Sequence, residues 1–273
     1  MVFRFLRSPV ATFNRLVPKD RGSRLAVAGE RFGPDDRRQL DVYMPRREAS
    51  EPWPVMIFFY GGSWASGSRR DYGFAGRALA AQGFVTLVPD YRLVPETRFP
   101  GFVDDGAAAF RWARAHAVSF GGDPERMVLI GHSAGAYIAA MLALDPQWLG
   151  EERGAVRGLV GLAGPYDFLP LSGPATRAAF GEAGDLAATQ PVNFARSGSP
   201  PALLLHGSSD RTVLPRNSRE LAQRLAAAGC EAEARIYSGR NHVDLVTTLA
   251  LPLRRRAPVL ADAAAFARRV CSV

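Results

Sequence analysis

Short apolar runs alternate along the chain with longer segments of helical periodicity. The apolar runs predict strands at 24–32, 38–44, 54–60, 84–89, 126–131, 159–163, 202–206 and 232–237. The segments between them predict helices at 72–82, 102–118, 134–144, 216–228 and 258–270. Because strands alternate with helices, the pattern predicts an α/β fold: a mostly parallel eight-stranded sheet with helices on both faces.

Two segments depart from this alternation. Residues 164–200 are rich in Gly, Pro, Ala and Ser, and we interpret them as a small cap inserted into one domain that spans 1–273. The spacing of Phe3, Leu6, Val10, Phe13 and Val17 predicts an amphipathic helix in an N-terminal extension, 1–23. That helix is expected to pack against the domain or a subunit, with weak membrane-surface contact as the alternative.

Composition and charge narrow the class of protein. Hydrophobic residues make up 47% of the chain and charged residues 22%, as in a soluble globular protein. The net charge of +8 comes from scattered arginines without a basic stripe, so we expect no nucleic-acid partner. No segment reaches membrane-spanning length, so no stable membrane insertion is expected. Cys230 and Cys271 lack metal-ligand spacing, and the simplest interpretation is a reduced cytoplasmic protein.

The most informative motif is Gly131-His132-Ser133-Ala134-Gly135, which lies between a predicted strand and a predicted helix. A G-x-S-x-G turn in this context exposes a serine nucleophile above the sheet, and the amide of Ala134 at the helix start can receive an oxyanion. The alternative is an N-cap serine that opens an ordinary helix. The remaining chain must therefore supply a base, an acid and a second oxyanion donor.

An acid and a base follow the serine in the expected order. Asp210 lies in a polar turn after the strand 202–206, and it could instead cap the following helix. His242 lies in a loop after the last strand, where it could instead be merely solvated. Of the other histidines, one falls on a helix, one lies inside the serine turn and one closes a strand: His116, His132 and His206. The order Ser133, Asp210, His242 is the one that this architecture uses.

The second oxyanion donor is predicted at Gly61-Gly62-Ser63-Trp64, directly after the buried strand 54–60. Adjacent glycines let the amides of Gly62 and Ser63 turn toward the serine without a side chain between them. A plain glycine-rich turn is the alternative.

Together these residues resemble the α/β-hydrolase superfamily, in particular its hormone-sensitive-lipase-like, feruloyl-esterase-like and kynurenine-formamidase-like branches. The resemblance extends from Leu40 to His242 and includes Val88-Pro89-Asp90-Tyr91-Arg92-Leu93. The family usually has histidine at the position of Tyr60, and often a third glycine or a tyrosine at that of Ser63. The resemblance implies a Ser133–His242–Asp210 triad, an oxyanion hole formed by Gly62, Ser63 and Ala134, and no metal or organic cofactor.

Three functions fit this pattern. The first is hydrolysis of carboxylic esters with small or medium acyl groups, the second is cleavage of an amide such as an arylformamide or peptide, and the third is ligand binding without turnover. Trp64, Tyr166 and Phe168 are candidate substrate contacts, although each could equally belong to the core. The expected partner is a small ester, and the expected assembly is a monomer or homodimer.

Overall fold

An eight-stranded sheet forms the centre of the molecule in the computed structural model, which describes residues 9–272. Its strands are β1 (Ser23–Arg31), β2 (Gln39–Pro45), β3 (Trp53–Phe59), β4 (Val85–Pro89), β5 (Gly122–His132), β6 (Val156–Leu162), β7 (Ala202–Gly207) and β8 (Ala232–Tyr237). The order across the sheet is β1-β2-β4-β3-β5-β6-β7-β8. Only β2 opposes its neighbours β1 and β4, and every other described pair is parallel. The predicted mostly parallel sheet is confirmed.

Helices connect the strands and cover the sheet. The α-helices are α1 (Pro9–Leu16), α2 (Gly73–Ala81), α3 (Gly101–His116), α4 (Ala134–Leu144), α5 (Pro146–Leu149), α6 (Pro174–Phe180), α7 (Arg216–Ala227), α8 (Asp244–Thr247) and α9 (Val259–Cys271). The 3-10 turns are Arg69–Tyr72, Ala117–Phe120, Gly150–Ala155, Ala187–Thr189, Pro191–Phe194 and Leu251–Arg256. Among these helices, α2 contacts α9, and α3 contacts α4. The long predicted helices are all present, whereas the short helices α5, α6 and α8 have no clear periodicity in the sequence.

The helix that follows the serine turn lies in the interior. Every residue of α4 is buried, which explains why its sequence is apolar on all sides rather than amphipathic. The helix contacts β3, β5 and β6 at the middle of the sheet. Its first turn therefore has a rigid support.

The described part of the N-terminal extension packs against the domain. The ring of Phe13 on α1 meets that of Phe74 edge-to-face, with centroids 5.1 Å apart. The Asn14 side chain accepts a hydrogen bond from the amide of Phe74 at 2.9 Å. Phe3 and Leu6 of the predicted amphipathic helix lie outside the described residues.

Residues 164–200, between β6 and β7, contain α6 and two 3-10 turns. Their contacts hold them against the domain: the Tyr137 hydroxyl of α4 donates to the carbonyl oxygen of Thr189 at 2.8 Å. Within the segment, the amide of Phe168 donates to the side chain of Gln190 at 2.8 Å. Their role as a cap remains a prediction, as do the domain limits.

Candidate active site

The serine turn joins the carboxyl end of β5 to the start of α4. Ser133 has φ 53° and ψ −121°, a strained conformation that non-glycine residues rarely adopt. The turn can close because a Cβ atom at Gly131 would collide with the backbone of Gly135, and one at Gly135 would collide with the carbonyl of Phe59. Both glycines are therefore required by close backbone approach, and the serine is raised at the apex.

Ser133, His242 and Asp210 form a continuous hydrogen-bonded chain. The Oγ atom of Ser133 lies 2.9 Å from Nε2 of His242, and Nδ1 of His242 lies 2.8 Å from Oδ2 of Asp210. The three residues follow β5, β8 and β7, whose carboxyl ends meet at one edge of the parallel sheet. The structure thus brings together the three residues that the sequence suggested, although they span 109 positions between Ser133 and His242.

The Asp210 carboxylate is buried and held by donors on both oxygens. Its Oδ1 accepts the amides of Thr212 and Val213 at 2.9 Å each. Burial by itself would raise the pKa of Asp210, but the hydrogen bonds from His206 and His242 outweigh it and hold the pKa well below its usual range. Asp210 is therefore ionised, which places a proton on Nδ1 of His242 and leaves Nε2 free to accept the serine proton.

A second histidine supports His242 from behind. Nε2 of His132 donates to the carbonyl oxygen of His242 at 3.0 Å, and the two ring centroids are 4.9 Å apart. Burial, together with the facing His242, lowers the pKa of His132 to about 3. His132 is therefore neutral near pH 7, and it adds no positive charge beside an imidazolium at His242.

The glycine loop after β3 passes directly beside the serine. A Cβ atom at Gly61 would lie 2.8 Å from Nδ1 of His132 and 3.0 Å from Cβ of Ser133. The next residues turn sharply, with positive φ at Gly62 (142°) and Ser63 (54°). Within residues 9–272, the amides of these two residues donate no hydrogen bond to another group, nor does that of Ala134. Those amides are consequently available to an oxygen bound near Ser133.

Behind the same loop lies a buried polar network that the sequence did not reveal. Asp90 accepts from the Tyr60 hydroxyl at 2.7 Å, from the amide of Arg69 at 2.6 Å and from its guanidinium at 2.5 Å. The guanidinium of Arg37 donates to the carbonyl of Gly67 at 2.8 Å and to the Tyr60 hydroxyl at 3.0 Å. These bonds connect Tyr60 and Gly67, at the two ends of the glycine loop, to Asp90 after β4 and to Arg37.

Tyr60→Phe is expected to lower the free energy of unfolding by about 2 kcal/mol, because it removes a donor from a buried carboxylate. Urea unfolding followed by circular dichroism measures this change. Tyr72→Phe is the matched control, since the Tyr72 hydroxyl makes only a 3.3 Å hydrogen bond to the carbonyl of Gly61. Equal urea midpoints for wild type and Tyr60→Phe would contradict the importance of the Asp90 network.

A cavity of about 530 Å³ opens beside Ser133, between the segment 165–176 and the loop 211–217. Trp64 and Phe168 both line it, and their rings are 6.2 Å apart. Tyr166 takes a different position. It is fully buried, and its hydroxyl lies against Gly161 and Gly164 rather than among the residues that line the cavity.

The contact of His206 with Asp210 was also not predicted from the sequence. His206 closes β7, as expected, but its ring reaches Asp210, with Nε2 at 3.2 Å from Oδ2. The spacing of four residues between the two was visible, although a strand-closing histidine beside a turn has an ordinary structural explanation.

Three further observations on the described residues concern metal ligands, helix length and the cysteines. Between residues 9 and 272, no three His, Cys, Asp or Glu side chains are grouped in a way that could hold a metal ion. The helices in the same range fall short of the length and apolar content that a bilayer crossing requires. Cys230 and Cys271 are both free thiols.

Comparison with known proteins adds independent information. The BD-FAE family model matches residues 40–225. Esterase LipC of Mycobacterium tuberculosis is 34% identical over 218 residues, which cover 72% of this chain and 54% of LipC. Isoprenylcysteine alpha-carbonyl methylesterase ICME of Arabidopsis thaliana is 32% identical over 239 residues, which cover 78% of this chain and 56% of ICME. The chain thus spans about half the length of these curated relatives.

Among solved structures, a truncated form of a carbohydrate esterase from gut microbiota superposes with a TM-score of 0.78 at 18% identity, covering 94% of this chain and all of that one. At this identity the likeness establishes the fold alone. The sheet order, the strained serine turn and this superposition define an α/β-hydrolase fold. Since the family model covers most of the sheet and the serine turn, the chain belongs to the BD-FAE family.

Proposed function

We propose that this protein hydrolyses carboxylic esters of small or medium acyl groups, with Ser133 as the nucleophile. The observation that carries the proposal is the 2.9 Å hydrogen bond between Oγ of Ser133 and Nε2 of His242, with Asp210 behind the imidazole. Nucleophile, base and orienting acid within hydrogen-bond reach are the arrangement that acyl transfer to serine requires.

In the first step, Oγ of Ser133 attacks the ester carbonyl carbon while Nε2 of His242 takes the hydroxyl proton. The tetrahedral intermediate then collapses: the carbon–oxygen bond to the leaving alcohol breaks, and His242 returns the proton to that alcohol. Water repeats the sequence on the acyl-enzyme, which releases the carboxylic acid and restores the serine. Ionised Asp210 stabilises the imidazolium in both steps.

The developing oxyanion would be bound by the amides of Gly62, Ser63 and Ala134. Their freedom from hydrogen bonds within the described chain supports this assignment. Ala134 also begins the buried helix α4, whose positive end favours a negative charge. Each such donor is worth on the order of 3 kcal/mol of barrier.

The size of the cavity and the names of relatives support the substrate class. A cavity of about 530 Å³ is within the usual range for small-molecule sites. LipC is named an esterase and ICME a methylesterase, and both names describe ester chemistry. Trp64 and Phe168 offer apolar contact to an acyl or aryl group. The proposal also includes a cytoplasmic location, which fits the free thiols of Cys230 and Cys271, and a monomer or homodimer.

A matched substrate panel tests the proposal. We expect p-nitrophenyl acetate and butyrate to be hydrolysed with a kcat/KM at least about 10²-fold above that for p-nitroacetanilide, because the amide leaving group is harder to expel. A fluorophosphonate probe should label Ser133 in the same preparation. Preference for the anilide or a formanilide would favour the amide hydrolase, and absence of labelling would favour a binding protein.

A further inference from the structure

His206 lies behind the proposed triad and is fully buried in β7. Its Nε2 atom is 2.9 Å from the carbonyl oxygen of Val213 and 3.2 Å from Oδ2 of Asp210. On the other side of the ring, Nδ1 is 2.8 Å from the hydroxyl oxygen of Ser218 on α7. The imidazole thus connects β7, the aspartate loop (residues 210–213) and α7.

These contacts define the protonation of the ring. A carbonyl oxygen and a carboxylate oxygen only accept hydrogen bonds, so Nε2 carries a proton that it shares between Val213 and Asp210. Ser218 then donates its hydroxyl proton to Nδ1. A neutral imidazole satisfies every partner in this arrangement, and it carries the tautomer opposite to that of His242.

With this contact, each oxygen of Asp210 has two donors. Oδ1 accepts the amides of Thr212 and Val213, while Oδ2 accepts from His242 at 2.8 Å and has a longer contact, 3.2 Å, with Nε2 of His206. A carboxylate has about four acceptor positions, so all of them are used. His206 thus gives Oδ2 a second partner, one that takes no part in the proposed proton transfer.

We infer that His206 is a positioning residue for the proposed hydrolysis, which fixes Oδ2 of Asp210 and shares its negative charge with His242. The inference rests on the proposed function. An apolar side chain would fill a buried strand position at lower desolvation cost, and the neighbours Leu203, Leu204 and Leu205 show that the strand otherwise follows this rule. The polar ring is explained by its two partners in the aspartate loop.

Loss of the contact between His206 and Asp210 is expected to shift the pH dependence of kcat/KM in one direction. If Oδ2 loses one donor, more negative charge remains for His242, so its imidazolium form becomes more stable. The acid limb of kcat/KM then moves to higher pH. Another titratable group, His132, faces Asp210 and His242, and burial keeps it neutral near pH 7 by lowering its pKa. The charged neighbours along the chain are Arg211, Arg240 and Asp244, and Asp244 accepts the amide of Asn241 at 2.9 Å.

Two amide substitutions separate the contact with Asp210 from the contact with Ser218. The side-chain amide of His206→Gln can place a donor near the position of Nε2, whereas that of His206→Asn reaches only the position of Nδ1. We expect the acid limb of kcat/KM in His206→Asn to rise by about half a pH unit, so that activity falls about threefold further at pH 6 than at pH 8.5. His206→Gln should keep the wild-type acid limb.

The pH profiles of wild type and both variants are measured on p-nitrophenyl acetate and normalised to active sites titrated with a fluorophosphonate. Normalisation removes the contribution of misfolded protein, and a urea midpoint for each variant records stability separately. Acid limbs that coincide in all three proteins, or one that moves to lower pH in His206→Asn, would overturn the inference. An equal shift in both variants would also overturn it, since the Nε2 donor would then not matter.

The proposed function and the role of His206 can be refuted separately. Activity retained by Ser133→Ala would refute the proposed function itself. An inactive Ser133→Ala combined with unchanged acid limbs in the His206 variants would refute only the role of His206.

Discussion

Ser133→Ala is expected to lower kcat/KM for p-nitrophenyl butyrate by about 10⁴-fold or more, because the variant lacks the oxygen that forms the acyl-enzyme. The fold should persist, because the Ser133 side chain makes one described hydrogen bond, the one to His242. Backbone contacts hold the turn: the amide of Ser133 donates to the carbonyl of Leu162 at 2.9 Å. Initial rates with purified protein measure the first effect, and urea unfolding measures the second.

The control for this variant is Ser172→Ala. Ser172 also lines the cavity but is exposed, so its replacement should change kcat/KM by less than about twofold. Hydrolysis at the wild-type rate in Ser133→Ala would show that the nucleophile lies elsewhere. A simultaneous loss in Ser172→Ala would instead point to a general disturbance of the cavity.

His242→Ala is expected to reduce kcat by a similar factor, about 10⁴-fold or more, because no other group then accepts the serine proton at 2.9 Å. The double variant Ser133→Ala/His242→Ala should be no slower than either single variant, since the two residues act as one unit. Single-turnover rates with p-nitrophenyl butyrate for all three proteins provide the measurement.

His116→Ala serves as the matched histidine control. His116 is exposed on α3, its Nδ1 contacts the carbonyl of Trp112 at 2.8 Å, and it is not among the residues that line the cavity. Full activity in His242→Ala would exclude His242 as the base, and His206 would have to be considered in its place. Rate losses that multiply in the double variant would mean that Ser133 and His242 work independently.

The positions of the strands and of the proposed triad were predictable because they depend on local signals. Apolar runs mark β3, β5 and β7, and parallel strands present their carboxyl ends at one edge, so residues just beyond those ends converge. The glycines around Ser133 are required by backbone collisions that any sequence with this turn must avoid. Periodicity and turn chemistry were therefore sufficient for these parts.

The support of the site was not predictable in the same way. The bond from Tyr60 to Asp90 joins residues 30 positions apart, and the contact of His132 with the His242 carbonyl joins residues 110 apart. Both depend on side-chain direction within the folded interior, which periodicity does not encode. Tyr166 illustrates the same limit: its neighbours Asp167 and Phe168 line the cavity, while its own ring turns into the core.

The two walls of the cavity differ in how freely they can change during evolution or engineering. The wall formed by 211–217 includes Thr212 and Val213, whose amides hold Asp210, so remodelling it disturbs the proposed acid. The opposite wall, 165–176, lies in the segment between β6 and β7 and supplies none of the three residues of the proposed triad. Exchanging or randomising residues 165–176 therefore changes one wall of the cavity and leaves the residues of the proposed catalytic chemistry in place.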